Sequence, residues 1–140
     1  MSPACPFCSP SNSEIVLRNE LWYARWDRYP VSKGHLLLVP FRHEPNFLAL
    51  PLDEQKVALD LLAHALLRLD SDFHPAGYNI GLNVGEAAGQ TVAHAHIHVI
   101  PRYTGDVPDP RGGVRFVIPA KATYWPASAG QKANHEGGLA

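Results

Sequence analysis

The chain has 140 residues, 12 lysines and arginines against 13 aspartates and glutamates, and a net charge of −1. That length suits one domain with a single core, and the neutral balance argues against a binder of bulk nucleic acid, which needs a basic surplus, while leaving room for a local nucleotide-sized anion site. No apolar run reaches the length of a membrane span, and Met1 to Pro6 lacks the charged start and apolar stretch of a secretory signal, so a cytoplasmic protein without a membrane partner is expected.

In Cys5-Pro6-Phe7-Cys8 the two cysteines are too close and too few for a disulfide framework. They precede any predicted strand, whereas a redox Cys-x-x-Cys pair follows a strand and opens a helix. Two thiolates also make half of a tetrahedral zinc site, with the other ligands to come from elsewhere. Glu14–Arg18 and Leu21–Trp26 read as strands of a hairpin around Asn19-Glu20. Asp27 closes the second strand and by residue type alone is a turn cap. After a turn-rich stretch, His35–Pro40 is an almost unbroken apolar run, the pattern of a strand covered on both faces, with His35 at its polar start.

Residues 44–50 read as a loop or short helical turn. A long helix follows, with Asp53 as predicted N-cap and Val57, Ala58, Leu61, Leu62, Ala65, Leu66 and Leu69 as its apolar stripe. His64 lies on the opposite face as a surface residue, and neither His74 nor His135 is given a role. Tyr78–Val84 alternates: Tyr78, Ile80, Leu82 and Val84 on one face, Asn79, Gly81 and Asn83 on the other.

Gly89-Gln90-Thr91-Val92-Ala93-His94-Ala95-His96-Ile97-His98-Val99-Ile100-Pro101-Arg102 carries most of the chemistry. In an extended strand His94, His96 and His98 emerge on one side, and Ala95, Ile97 and Val99 on the other. Imidazole titrates closest to neutrality, so such a row can supply a nucleophile, a proton donor and an anion partner. Gln90 and Thr91, beside a glycine turn, suit an oxyanion or phosphate. Beyond the row, 104–113 reads as loop, Val114–Ile118 as a last strand, and about 119–140 as a weakly structured tail.

The segment resembles the signature of the histidine triad (HIT) family, in which three alternating histidines follow a Gln-Ser or Gln-Thr pair; the resemblance runs through Asp27, Gly34-His35 and Asn83. It implies an α+β fold, about five antiparallel strands with one long helix on one face, over a single domain spanning 1–140. It also implies a nucleotide hydrolase or nucleotidyl transferase acting on phosphoanhydride, phosphoramidate or related bonds. His96 would attack the α-phosphate of a purine, by expectation adenine, nucleotide derivative such as a dinucleoside polyphosphate, giving a nucleotidyl-histidine intermediate. His98 and His35 would assist, with Asp27, Asn83, Gln90 and Thr91 holding substrate. Family members with an N-terminal Cys-x-x-Cys complete a structural zinc site at positions matching His43 and His94, which together with Cys5 and Cys8 make a Cys2His2 set. A homodimer is implied in the same way, and no catalytic metal or organic cofactor.

Two rivals remain at this level. His-x-His on a strand also presents two ligands in zinc hydrolases that activate water. The same residues would equally serve a nucleotide-binding or scaffolding protein without useful turnover.

Overall fold

The structure is a computed structural model that describes residues 5–126. Expectations for the tail past 126, His135 included, lie outside the described residues. After Pro101 the chain divides into two compact units.

The first unit is built on a five-stranded antiparallel sheet in the order β1-β2-β3-β5-β4, with β1 Leu17–Arg18, β2 Trp22–Trp26, β3 Leu36–Pro40, β4 Gly77–Gly81 and β5 Ile97–Arg102. The hairpin joining β1 and β2 turns on Asn19, whose side-chain oxygen accepts hydrogen bonds from the amides of Leu21 and Trp22 at 3.0 and 2.8 Å. The first strand is shorter than predicted. Glu14 belongs to a 3-10 turn, Asn12–Glu14, where its carboxylate accepts from Ser11 and pairs with Arg25 at 2.9 Å.

β3 is buried at all five positions, as its apolar run requires. Its alternation divides two cores. Leu36 and Leu38 join Trp22, Ala24, Ile97 and Val99 under the helix, while Leu37 and Val39 join Phe7 and Tyr23 on the other face. The antiparallel register sets Leu37 opposite both Arg25 and His98, so these three share the face away from the helix.

α1, Leu52–Phe73, buries Ala58, Leu61, Ala65 and Leu69 at helical spacing. It begins earlier than predicted: Pro51 is the N-cap, and Asp53 lies with Glu54 in the first turn, where negative charge suits the helix dipole. His74 closes α1 in the left-handed region at φ 50°, its amide donating to the Asp70 carbonyl. Ahead of β3, Gly34 also has positive φ, +87°, and a Cβ there would sit 2.9 Å from the Phe73 ring. β4 ends at Gly81, so Asn83 lies in the loop beyond it, and Ile80 on this edge strand is partly exposed.

In the second unit the predicted strand Val114–Ile118 does not form. Gly112 and Gly113 take positive φ, Gly113–Val117 coils into a 3-10 helix, and α2, Pro119–Ala122, follows. The Arg115 guanidinium donates to the carbonyls of Lys121 and Ala122, which folds the segment on itself instead of leaving its backbone free for a sheet. Arg111 stacks on Trp125, its guanidinium 4.7 Å from the ring centre. Among the described residues no helix is long and apolar enough to cross a membrane.

Candidate active site

The face of the sheet opposite α1 carries a cleft of about 550 Å3. Asp27, His35, Asn83, Thr91, His96 and His98 all line it, so six of the residues singled out from sequence meet in one place. β5 begins only at Ile97, and His94 and His96 therefore approach it in irregular backbone. The row of rings survives nonetheless: Phe7 packs edge-on against His94 and His96 at 5.9 and 5.1 Å, His96 meets His98 at 5.1 Å, and His98 meets His35 at 5.2 Å.

Hydrogen bonds assign a tautomer to each ring. His96 Nδ1–H donates to the backbone carbonyl of His94 at 2.8 Å, which leaves the Nε2 lone pair free. His35 Nδ1 accepts from the Val31 amide at 3.1 Å, so the proton of His35 resides on Nε2. That Nε2–H donates to His98 Nδ1 at 2.9 Å, and the His98 proton is thereby placed on Nε2. Burial pushes the pKa of His35 and of His98 below the ordinary imidazole value, aided at His98 by the neighbouring His96 and His35 and opposed at both by Asp27. Both rings are neutral at pH 7, and His98 offers an N–H.

Asp27 Oδ2 lies 3.3 Å from His35 Nε2 and 3.8 Å from His98 Nδ1, while its Oδ1 accepts from the Tyr29 amide. Asp27, His35 and His98 thus gather three possible metal ligands. The tautomers argue against that use, because the inward nitrogen of His35 holds its proton and has no lone pair to give.

Gln90 stands apart from the expectation. Its amide nitrogen donates to the carbonyls of Pro45 and Val92 at 2.7 and 3.1 Å, and its oxygen accepts from the Gly85 amide at 2.9 Å. Both N–H groups are committed to backbone, and Gln90 lines a neighbouring cavity rather than the cleft. It pins the loop that carries Thr91 instead of reaching for an anion.

Cys5, Cys8, His43 and His94 form a second cluster, their ligand atoms all within 4.8 Å of one another. The Nδ1 atoms of His43 and His94 are 3.2 Å apart, and Cys8 Sγ lies 3.0 and 3.6 Å from them. A tetrahedron with zinc bonds of about 2.0–2.3 Å has edges of roughly 3.3–3.8 Å, close to this spacing. The His94 tautomer fits too: Nε2–H donates to the Pro40 carbonyl at 2.8 Å, turning the Nδ1 lone pair toward the thiols as a metal-binding histidine does. These residues fit a structural zinc ion. His94 also serves two purposes through different atoms, its ring in the cluster and its carbonyl on His96.

Sequence reasoning set no role in the cleft for Pro6, Arg28, Tyr29, Val31 and Leu37, which line it as well. For Leu37 the signal was there in the alternation of β3 with His35. The others sit in turns, where no period exists to read. Among the neighbouring aromatic and basic side chains, Phe7 and Arg25 line the cleft; Tyr23 is wholly buried and donates to the Phe7 carbonyl, and Trp26 packs on Phe73.

Fold and cleft together define an α+β domain that presents a row of hydrogen-bonded imidazoles from a sheet face left free by its one long helix. The chain belongs to the HIT domain family, whose sequence profile matches residues 9–105. It is 36% identical over 111 residues to an AP-4-A phosphorylase of Mycobacterium tuberculosis, a match covering 75% of this chain but only 57% of that relative. The crystal structure of a HIT family protein from Bacillus anthracis superposes with a TM-score of 0.67 at 33% identity, covering 74% of this chain and 76% of the other. A Plasmodium falciparum diadenosine triphosphate hydrolase superposes with a TM-score of 0.62 at 27% identity, covering 71% and 68%.

Proposed function

We propose that the protein is a nucleotide hydrolase or nucleotidyl transferase that attacks the α-phosphate of an adenine, or more broadly purine, nucleotide derivative with His96. The observation that carries this reading is the tautomer of His96: its Nδ1–H is held by the His94 carbonyl, so the lone pair of this cleft-lining ring lies on Nε2. Attack forms an Nε2–P bond as the bond from phosphorus to the leaving group breaks, and water then cleaves the phosphoramidate to release the nucleoside monophosphate and restore the imidazole. His98 Nε2–H, set by His35, would donate to a nonbridging oxygen or to the departing atom, and the Thr91 hydroxyl would add a second donor. Asp27 and Asn83 would bind the ribose or phosphate. Gln90 acts one step back by holding the Thr91 loop.

The relatives' names support the substrate class, since one is an AP-4-A phosphorylase and another a diadenosine triphosphate hydrolase. Zinc at Cys5, Cys8, His43 and His94 would be structural, taking no part in the reaction. A cytoplasmic homodimer completes the reading, by family likeness.

The test is a panel of diadenosine polyphosphate, adenosine phosphoramidate and adenylyl sulfate, with guanosine counterparts, scored for product and by intact mass for a nucleotidyl adduct. Wild-type protein should accumulate the adduct and His96→Ala should not. A wild type giving neither adduct nor product, with AMP binding unchanged in His96→Ala, would leave a binding protein in its place.

A further inference from the structure

The segment between the two cysteines belongs to both sites. Pro6 and Phe7 line the nucleotide cleft, while Cys5 and Cys8 on either side of them belong to the metal cluster. Phe7 is buried, and its ring stands edge-on to His94 at 5.9 Å and to His96 at 5.1 Å. Its backbone is tied to β2: Tyr23 Oη–H donates to the Phe7 carbonyl at 2.6 Å, and Arg25 donates to the Pro6 carbonyl at 3.0 Å. The cluster therefore meets His96 twice, through the His94 carbonyl on Nδ1 and through the edge contact between the Phe7 and His96 rings. A ring held on one side only by a hydrogen bond can still swivel about it; a second ring contact restricts that freedom.

We propose that Phe7 is a positioning residue that couples the Cys5, Cys8, His43 and His94 cluster to His96, so that metal binding at the cluster sets the orientation of the nucleophile's ring and the shape of the cleft. The inference rests on the zinc reading above and not on turnover. Binding fixes Cys5 and Cys8 against His43 and His94, and Pro6 and Phe7, strung between those thiols as walls of the cleft, are held with them. Without metal the hydrogen bonds from Tyr23 and Arg25 still hold the backbone of the segment near β2, which leaves the Phe7 ring as the part that loosens.

The experiment follows the histidine side chains by long-range 1H–15N NMR in full-length protein, zinc-loaded and after removal of metal with EDTA. AMP affinity is measured by calorimetry in the same samples. Removal of metal should move the signals of His43, His94 and His96 together. In Phe7→Ala, which keeps all four ligands, His43 and His94 should still respond to zinc in full while the response of His96 shrinks to what the His94 carbonyl transmits. Zinc-loaded Phe7→Ala should bind AMP about three- to tenfold more weakly than zinc-loaded wild type, the range one aromatic edge contact supplies. Phe7→Tyr, which keeps the ring, should restore the response of His96. If the metal-free protein unfolds, zinc-loaded Phe7→Ala and Phe7→Tyr decide the question through His96 line positions and AMP affinity. Movement of His43 and His94 with His96 unmoved overturns the coupling, as does a His96 response retained in full by Phe7→Ala. Silence of all three histidines on zinc addition overturns both the zinc site and the coupling. Absence of a nucleotidyl adduct bears only on the transfer reaction, because the NMR comparison needs no substrate.

Discussion

Gln90 and His96 are six positions apart in the signature, yet their replacement should be felt in different measurements. His96→Ala removes the proposed nucleophile, and kcat/KM should fall on the order of 10^4-fold or more, with stability little changed. Gln90→Ala strips three hydrogen bonds from a loop and leaves backbone groups of Pro45, Gly85 and Val92 in need of partners. It should lower unfolding stability by about 1–2 kcal/mol in urea, with a smaller loss of kcat/KM than at His96. The reverse order, full stability with catalysis lost as deeply as in His96→Ala, would return Gln90 to the phosphate. Gly34 shows a different dependence on one residue. Its φ of +87° and the Phe73 ring 2.9 Å from where a Cβ would be make Gly34→Ala costly on two counts, and a loss of about 2–3 kcal/mol is expected by urea unfolding.

Elements with a strong period could be read before any coordinates: the α1 stripe, the hairpin on Asn19 and the doubly covered β3 all form where their patterns fall. Their ends could not, because an end depends on local geometry that several residue types satisfy. Asp53 has the chemistry of an N-cap, yet Pro51 holds the position and Asp53 serves the dipole from within the first turn. Val114–Ile118 has strand-like composition, but a strand needs a partner, and the two glycines before it and the Arg115 bonds after it coil the segment instead. In the site, residue types and spacing indicated the imidazole row and the cysteine pair, while His43 and His94 as the partners of that pair followed only from the family resemblance. The commitment of Gln90 to backbone combines two nearby partners, Gly85 and Val92, with the distant Pro45, and the double use of Phe7 depends on His94 and His96 far away in sequence. One helix end is also open to improvement. His74 caps α1 in the left-handed region, where an L side chain is strained and glycine is not. His74→Gly should raise stability by about 0.5–1 kcal/mol, visible as a higher Tm; an unchanged or lower Tm would mean that the His74 side chain offsets its strain.

For the molecule as a whole, burying His35 and His98 links folding to pH. Their pKa values in the folded protein lie below the unfolded value near 6.5, chiefly through burial. Above that pH both states hold the rings neutral and the term is constant. As pH falls through 6.5 the unfolded chain takes up protons that the folded chain refuses, so the unfolded state binds more and stability declines with falling pH. The decline stops once the folded rings are themselves protonated, and its slope cannot exceed about 1.4 kcal/mol per pH unit for each proton of difference. His94, also pushed down chiefly by burial, acts in the same direction, so the wild-type curve alone does not isolate the pair. The decisive comparison is urea unfolding between pH 7.5 and 5.5 of wild type and His98→Gln at constant ionic strength. The variant, lacking one of the two buried rings, should lose less stability across that window. Parallel curves would mean that His98 titrates in the folded protein as it does in the unfolded chain, and the neutral Nε2–H donor proposed for the phosphate would lose its physical basis.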